Sequence, residues 1–383
     1  MKKLMILGAS YSQLPLYKMA KKLGIATVAV STPGEWPGFD IADECSYTDI
    51  SDPEAVLKSA REHNIDGITT CCLDAGIRSI GYVCEHMGLK GLSAQAGFLC
   101  SDKYYMKESF VKGGVRCAKH ICIHSREELE AAFDQLEFPV ILKAVDQMGS
   151  RGLFRCETRE EAYAHYPDTM AATRRDYCLV EEFIQGQMLV CLPNNIENYQ
   201  SYVPTPIGHS VPYEKMDTLG CEVEHQLELA VQALGMDNCP VNCDMMEKDG
   251  KIYVIEITGR AGGNCLPEAV SLYYDTDYYE AMVRLALDMN PESLFEKTSP
   301  RTANLSHILT SDRSGILKQI HNDNVTTENI VDLSFNVEPG EEIRKYENGR
   351  DRIGQVILKG RNLDDCRRNL ADVLSKINIE FIS

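Results

Sequence analysis

The stretch Val254-Ile-Glu-Ile-Thr-Gly-Arg-Ala-Gly-Gly263 begins as a β-strand and ends in a glycine-rich turn. Glu256 lies inside the apolar part of this strand, where burying a carboxylate is costly unless a cation meets it. Arg260 follows four residues later, beside a Gly-Gly pair that lets the backbone approach a ligand closely. The stretch therefore predicts a strand that brings an acid and an arginine to one ligand. A salt bridge to a neighbouring acid is the simpler role for the arginine.

A second acid is predicted to lie beside Glu256. The runs 241–246 and 252–257 read as two strands, and the turn Glu247-Lys-Asp-Gly250 joins them. Because Asp244 is about as far from this turn as Glu256, antiparallel pairing would bring the two within about 5 Å. Two carboxylates this close repel each other, and Mg²⁺ binds through one or two carboxylates plus phosphate oxygens. The alternative is a solvent-facing acid pair.

The composition is that of a large soluble globular protein. The chain has 383 residues, which predicts two or three domains, and 44 % of them are hydrophobic. Its net charge of -18, from 57 acids and 39 bases, argues against a nucleic-acid-binding protein. An anionic substrate would need a local basic site.

The cysteines and the N-terminal residues predict the cellular compartment of the protein. Fifteen cysteines occur without a Cys-x-x-Cys pair, and Met-Lys-Lys-Leu does not have the design of a signal peptide. We therefore expect reduced thiols, a cytoplasmic protein and no membrane partner. Cys239 and Cys243 are the nearest approach to a zinc pattern, and it is a weak one.

The first 98 residues predict a doubly wound parallel α/β domain. Short apolar runs alternate with helical spacing, with strands at 4–7, 26–30 and 67–70 and helices at 14–23, 53–62 and 77–87. The first turn, Gly8-Ala-Ser, lacks the second and third glycines of a dinucleotide fingerprint. Gly8 most simply lets the strand turn into the helix, which disfavours a dehydrogenase.

A small α+β pattern follows at about 115–185. Lys143 ends the apolar strand 138–143, where a buried ammonium group would need an anion. The loop Gly149-Ser-Arg-Gly152 comes next, and its backbone amides either cover phosphate oxygens or only form a hairpin turn. The strand 177–184 has two acids near its end, Glu181 and Glu182, which are either solvated or in contact with a nucleotide.

Taken in order, these motifs resemble the ATP-grasp superfamily. The motifs are Ser101-Asp-Lys-Tyr-Tyr-Met-Lys107, Pro139-Val-Ile-Leu-Lys143, Gly149-Ser-Arg-Gly152, Val180-Glu-Glu-Phe-Ile-Gln-Gly186, Asp244 and Glu256-Ile-Thr-Gly-Arg260. The resemblance covers essentially the whole chain and implies an α/β ATP-grasp fold. It implies these domains: a Rossmann-like domain at 1–98, an ATP-grasp domain at 99–300 with a lid at about 115–185, and a C-terminal α/β cap at 301–383.

Within that superfamily, Arg-x-Gly-Gly and the tail from Arg352 to Arg361 look most like the carboxylate–amine ligases that join L-amino acids. The resemblance implies that ATP phosphates are held or covered by Lys103, Lys143, Gly149, Ser150, Arg151 and Gly152. It implies that adenine faces Val180 and Glu181 and that ribose contacts Glu182. Mg²⁺ would be bound by Asp244 and Glu256, and Arg260 would steady the transferred phosphoryl group.

The segment Thr205-Pro-Ile-Gly-His209 resembles one that borders the acceptor pocket of these ligases. His209 is thus a candidate for orienting substrate, and a structural histidine is the alternative. Three departures from the family pattern stand out. Relatives follow Gly186 with a Gly-x-Glu and a further strand, whereas here Pro193 comes soon after, so either this hairpin is short or residues are missing from it. Asp244 stands where many relatives carry Glu, and Thr258 where many carry Asn, which makes a second Mg²⁺ less secure.

These features predict a ligase. ATP would phosphorylate a substrate carboxylate to an acyl phosphate, and an amine would attack it to give an amide, ADP and phosphate. The alternatives are an ATP-grasp enzyme that phosphorylates bicarbonate, formate or a nucleotide-precursor carboxylate, and a non-catalytic ATP-binding regulator. The expected partners are small molecules, and a homodimer is one assembly that we allow for.

Overall fold

The structure is a computed structural model that describes residues 2–190, 194–199, 205–296, 299–347 and 351–382, with the backbone alone described at 194–199 and 205. The strands are β1 (Lys3–Leu7), β2 (Ala26–Ser31), β3 (Glu44–Tyr47), β4 (Gly67–Thr69), β5 (His120–Ile123), β6 (Val140–Lys143), β7 (Leu153–Cys156), β8 (Cys178–Glu182), β9 (Gln187–Val190), β10 (Asn194–Tyr199), β11 (Thr205–Val211), β12 (Asn242–Lys248), β13 (Lys251–Thr258), β14 (Ala303–Leu309), β15 (Gly315–Asn322), β16 (Ile330–Phe335), β17 (Glu342–Ile343), β18 (Gly354–Gly360) and β19 (Ile377–Phe381).

The helices are α1 (Leu14–Lys22), α2 (Pro37–Ile41), α3 (Pro53–His63), α4 (Ile77–Met87), α5 (Ala94–Leu99), α6 (Lys103–Lys112), α7 (Arg126–Ala132), α8 (Arg159–Ala172), α9 (Met216–Leu234), α10 (Leu266–Tyr274), α11 (Tyr278–Ala286) and α12 (Leu363–Ser375). The predicted mixed α/β class is confirmed. Within the described ranges, no helix is both long and apolar enough to cross a bilayer.

The chain divides into two compact units. The first consists of Met1–Cys191, Thr218–Gly263 and Asp277–Glu296, and the second of Leu192–Asp217, Asn264–Thr276 and Lys297–Ser383. The three-domain division expected from the sequence remains a prediction.

The first unit opens with a parallel sheet of order β3-β2-β1-β4. Leu4, Met5, Ile6 and Leu7 of β1 are fully buried, as expected for a parallel strand covered on both faces. This confirms the predicted doubly wound pattern, although β3 and α2 were not anticipated. Because the strands run in parallel, their carboxyl ends lie along one edge, where ligands bind in open α/β sheets.

The residues predicted to form the lid, at about 115–185, contain an antiparallel sheet of order β5-β8-β6-β7. Apolar side chains of its strands and of α7 and α8 form one core, which includes Ile123, Leu129, Val140, Leu142, Cys156, Ala162 and Val180. Register pairs Lys143 with Leu179 and Ile141 with Glu181. The lysine of β6 and the acid of β8 are thus diagonal neighbours on one face of the sheet, two positions apart.

A third sheet segment of the first unit pairs β13 with β12 and β12 with β9. A bulge between Asp244 and Met245 shifts the register of the hairpin. The residues beyond the bulge then pair as Asp244 with Glu256 and Asn242 with Thr258. The antiparallel hairpin predicted for this region is confirmed.

The second unit contains the antiparallel order β10-β11-β14-β18-β16 and a smaller sheet, β17-β15-β19. Helix α12 covers a core that includes Leu305, Leu317, Val356, Leu358, Cys366, Leu370 and Val373. The predicted strands around 302–309 and 354–359 and the last helix are present. After Gly186, where the sequence departs from the family pattern, the structure has the short strand β9 and then β10; residues 191–193 and 200–204 lie outside the described residues.

Candidate active site

Asp244 and Glu256 face each other across the β12–β13 ladder. Burial and the adjacent Glu256 carboxylate together raise the pKa of the half-buried Asp244 to about 7. Asn242 Nδ2 donates to Asp244 Oδ1 at 3.2 Å, which stabilises the carboxylate less than a cation would. The hairpin therefore holds an acid whose negative charge is poorly balanced.

Lys103 approaches Glu256 from the first turn of α6. Its Nζ atom lies 3.3 Å from Glu256 Oε2 and donates to the Gln147 carbonyl at 2.7 Å. The N-cap Asp102 fixes this end of the helix by accepting from the amides of Tyr104 and Tyr105. The ammonium group thus joins the Glu256 carboxylate to the loop that follows β6.

Arg260 forms a bidentate ion pair with Asp74, a residue that the sequence reasoning missed. Nε and Nη2 of Arg260 donate to Oδ1 and Oδ2 of Asp74 at 2.6 and 2.7 Å, and Thr258 Oγ1 donates to Oδ1 at 3.1 Å. Burial would raise the pKa of Asp74, but the Arg260 guanidinium lowers it overall. The salt bridge considered for Arg260 is therefore present, and the hydroxyl of Thr258 orients the same acid. Asp74 could have been found as the first acid after β4.

We call Asp74, Asp244, Glu256, Lys103 and Arg260 the acidic cluster. Its three acids outnumber its two bases, and the two ion pairs leave Asp244 as the acid without a close cation among these five residues. No group of three or more His, Cys, Asp or Glu residues in the described chain is arranged to hold a metal ion. Two carboxylates with excess negative charge fit Mg²⁺, which takes few protein ligands and completes its shell with phosphates and water.

A second charged group lies on the lid side. Glu181 forms ion pairs with both Lys107, at 2.8 Å, and Lys143, and the three side chains are 1 to 7 % exposed. Burial alone would raise the pKa of Glu181, but the two ammonium groups lower it to about 2. We call these three residues the basic cluster, because two bases share one acid. Lys107 was not singled out by the sequence, although it lies one helical turn after Lys103.

The basic cluster limits what Glu181 can do. Its carboxylate points to the two lysines, so an adenine contact at this residue is left to its backbone. The Val180 side chain is buried in the lid core, which leaves its backbone too, and Glu182 is half-buried at the end of β8. The adenine and ribose roles remain predictions.

The loop between β6 and β7 is exposed and built around left-handed backbone conformations. Gly149, Ser150 and Gly152 have φ values of +62°, +59° and +64°. Arg151 turns back on the loop, since its Nε donates to the Met148 carbonyl at 3.3 Å. The loop lies next to the Lys103 contact at Gln147, and its covering of phosphates remains a prediction.

His209 belongs to the second unit. It lies on β11 opposite Ser306 of β14 and is 2 % exposed. A side chain so buried would orient substrate only from behind other groups, and its role remains a prediction.

Two family models match parts of the chain. The model of L-amino acid ligase C-terminal domain 2 matches residues 307–381, and that of the ATP-binding domain of the carbamoyl-phosphate synthase L chain matches residues 102–190. The alanine–anticapsin ligase of Bacillus subtilis is 24 % identical over 256 residues, which span 57 % of this chain and 54 % of that ligase.

Crystal structures of other proteins match this chain over its full length, among them two with a TM-score of 0.85. The L-amino acid ligase from Bacillus licheniformis superposes with a TM-score of 0.85 at 18 % identity, covering 100 % of this chain and 99 % of that one. The structure described as phosphoribosylglycinamide synthetase from Anaerococcus prevotii has a TM-score of 0.85 at 40 % identity, covering 100 % of both chains. With these matches and the motifs in the same order, the chain belongs to the ATP-grasp family of carboxylate–amine ligases.

Proposed function

We propose that the enzyme activates the carboxylate of an L-amino acid with ATP and joins it to an amine, releasing ADP and phosphate. The observation that carries the proposal is the acidic cluster, where Asp244 and Glu256 leave negative charge unbalanced directly beside a fixed guanidinium group. The match of residues 307–381 to an L-amino acid ligase domain supports an amino acid as the substrate. Such a reaction asks for positioning and charge neutralisation rather than a protein nucleophile.

In this proposal, the two paired acids hold Mg²⁺, and Lys103 and Lys143 hold phosphates of ATP. The bound ion would neutralise charge on the phosphate oxygens as the γ-phosphoryl group is transferred. Lys103 would exchange its contact with Glu256 for one with a phosphate, because an ammonium group and the ion both compete for that carboxylate. The lid keeps water from the acyl phosphate.

Arg260 is the residue proposed to steady the transferred phosphoryl group. Asp74 and Thr258 fix the plane of its guanidinium group through the bidentate pair and the hydroxyl contact. A planar donor held in this way loses little side-chain entropy when it meets an oxyanion. Asp74 is thus proposed to position the arginine.

The test is ADP and phosphate release with pairs of L-amino acids as carboxylate and amine, followed by mass spectrometry of the product. We expect release that depends on both components and a product whose mass is the sum of the two less one water. Absence of release with every amino-acid pair, in protein that still binds ADP, would contradict the amino-acid proposal.

A second candidate is favoured by the 40 % identity to the structure described as phosphoribosylglycinamide synthetase. Phosphoribosylglycinamide is an amide of glycine with phosphoribosylamine, so the same carboxylate–amine chemistry would apply. The two candidates differ in the amine, which would carry a phosphate ester in the second one.

The carboxyl edge of the parallel sheet argues for an acceptor without a phosphate ester. The segments that follow its four strands contain no Lys, Arg or His, and they are 8–13, 32–36, 48–52 and 70–76. The Gln13 side chain fills the turn after β1: its Nε2 donates to the Cys71 carbonyl at 2.7 Å and its Oε1 accepts from Ser10 Oγ at 2.7 Å. A Cβ atom at Gly8 would lie 2.8 Å from Leu73, so this turn has little room for a phosphate.

The discriminating measurement compares ADP formation with glycine plus phosphoribosylamine generated in situ, with L-amino-acid pairs, and with bicarbonate or formate. We expect the amino-acid pairs to stimulate turnover most. Turnover that required phosphoribosylamine would instead establish the second candidate, and stimulation by bicarbonate or formate alone would contradict both.

A further inference from the structure

The proposed function leaves one buried cation without a role, the ammonium group of Lys107. Its side chain is 1 % exposed, and its Nζ atom lies 2.8 Å from Glu181 Oε2. Burying an ammonium group costs several kcal/mol before any pairing is counted. A lysine in such a place is therefore expected to do something that an apolar residue could not.

Glu181 is shared between two lysines. Lys107 lies at its Oε2 atom and Lys143 at its Oε1 atom. Because one carboxylate balances one ammonium group, the basic cluster retains a single positive charge in a place with little water. Burial and the neighbouring Lys107 lower the pKa of Lys143, although Glu181 raises it.

Lys107 and Lys143 differ in how far their side chains are exposed to solvent. Lys143 is 7 % exposed at its side chain, whereas Lys107 is sealed behind Glu181 at 1 %. The loop that contains Gly149 begins soon after Lys143, at the carboxyl end of β6. Lys143 is thus the member placed to meet an anion, and Lys107 lies behind it.

Helix α6 fixes Lys107 relative to the acidic cluster. Residues four apart lie on one face of a helix, so Lys103 and Lys107 point the same way. Lys103 contacts Glu256 of β13, while Lys107 contacts Glu181 of β8. One helix face therefore connects the acid proposed to bind the metal with the lid strand.

We propose that Lys107 is a positioning residue of the nucleotide site: by neutralising Glu181 from behind, it leaves the Lys143 ammonium group with a net charge to offer to a phosphate of the nucleotide. Without Lys107, Lys143 and Glu181 would form a neutral pair that attracts an anion weakly. The inference rests on the proposed ATP dependence for the identity of the anion, but not on which carboxylate or amine reacts.

The experiment measures MgADP affinity by titration calorimetry in four variants. Lys107→Met is expected to weaken ADP binding by about tenfold or more, which corresponds to ~1.4 kcal/mol. Lys107→Arg keeps the charge and is expected to bind within about threefold of the wild type. The double variant Lys107→Met/Glu181→Gln again has a net charge of +1 at this cluster, now from Lys143 alone, so its affinity is expected to recover toward that of the wild type. Lys112→Met, an exposed lysine of the same helix, is the matched control.

A purely structural lysine would give a different pattern. It would lower the melting temperature in Lys107→Met without changing ADP affinity, and that result would overturn the inference. A double variant that binds no better than Lys107→Met would overturn it too. If Lys107→Met does not fold, the double variant decides: binding within about threefold of the wild type supports the proposal, and a loss beyond tenfold refutes it.

The KM for ATP offers a second readout. Because Lys107 is proposed to act on nucleotide binding, Lys107→Met is expected to raise the KM for ATP more than it lowers kcat. A fall in kcat at unchanged KM would contradict the proposal. Failure of every amino-acid pair to support turnover would leave the ADP titrations unaffected, so the two proposals fail separately.

Discussion

The acidic and basic clusters differ in the sign of their excess charge and in how deeply their side chains are buried. The basic cluster has two bases and one acid, with side chains at most 7 % exposed, whereas Glu256 of the acidic cluster is 39 % exposed and Asp74 is 31 % exposed. A sealed cluster keeps a fixed charge, while an open one can exchange its cations. The buried basic cluster therefore suits binding of a phosphate by one fixed lysine, and the more exposed acidic cluster suits a metal ion that binds and leaves with each nucleotide.

The two clusters also differ in how their ion pairs respond to a ligand. At the acidic cluster, Lys103 can exchange its contact with Glu256 for a substrate oxygen, while Arg260 keeps its pair with Asp74. At the basic cluster, removing one partner of a buried ion pair destabilises the fold by more than the pair itself stabilises it. We therefore expect substitutions in the acidic cluster to affect turnover and those in the basic cluster to affect nucleotide affinity.

The largest effect on turnover is expected from removing a carboxylate charge at the acidic cluster. Glu256→Gln should lower turnover by about a thousandfold or more, because charge on the transferred phosphoryl group would no longer be balanced. Phosphate release at saturating ATP measures it. Asp249→Asn, in the exposed turn of the same hairpin, is the control and should behave like the wild type. Turnover preserved in Glu256→Gln would remove this acid from the metal site.

The next effect concerns the geometry of the guanidinium group. Arg260→Lys keeps the charge but loses the bidentate pair with Asp74, and we expect kcat to fall by about a hundredfold. The matched control is Arg361→Lys in the second unit, where the guanidinium group pairs in the same way with Asp365 at the surface. Equal kcat in Arg260→Lys and the wild type would show that charge alone suffices there.

The raised pKa of Asp244 predicts a pH-dependent cost in stability. An unfolded Asp titrates near pH 3.9, while this carboxyl titrates at about 7 in the fold. Between these values the folded chain binds more protons than the unfolded one, so its free energy of unfolding falls as the pH rises and stays low above about 7. Asp244→Asn avoids this loss and should raise the melting temperature of the ligand-free protein at pH 8 by a few degrees.

The control for that measurement is pH 5, where most of the wild-type Asp244 is still protonated. The gain in melting temperature of Asp244→Asn over the wild type should shrink there, and Asp249→Asn should show no gain at either pH. A gain of the same size at pH 5 and pH 8 would refute the electrostatic explanation and point to packing.

The smallest effect is expected from the loop beside the basic cluster. A Cβ atom at Gly152 would lie 2.5 Å from Ala172 Cβ and 2.9 Å from Ala144 Cβ, whereas one at Gly149 meets nothing within 4 Å. Both residues have positive φ, so each alanine substitution costs about 1 kcal/mol in backbone strain. Gly152→Ala should therefore lower the melting temperature more than Gly149→Ala. Equal shifts in a thermal melt would contradict the close approach.

Several parts of this molecule were predictable because they depend on local patterns. The turn Glu247-Lys-Asp-Gly250 predicts that β12 and β13 pair as an antiparallel hairpin, whereas the pairing of Asp244 with Glu256 also depends on the bulge between Asp244 and Met245, which shifts the register by one residue. Helix α4 was predicted with its observed ends, Ile77 and Met87, since helical spacing stops at Gly88. The relation of Lys103 to Lys107 could also have been read from their spacing on one helix face.

The polar β-strands were not predicted. The strands β10 and β15 carry Asn, Glu, Lys and His at alternating and adjacent positions, so no apolar period marks them. Their pairing is decided by neighbours that are distant in sequence.

The sequence by itself determined the parallel and antiparallel layers and the β12–β13 hairpin that carries Asp244 and Glu256, because periodicity and turn chemistry act over a few residues. The order of its motifs also carried the resemblance to the ATP-grasp superfamily. Only the tertiary structure decided which charges meet. Arg260 finds Asp74 across 186 residues, and Glu181 meets Lys107 across the boundary between α6 and the lid. Ion pairs of this kind depend on how whole sheets and helices dock, and docking is set by the summed burial of apolar faces rather than by any local spacing.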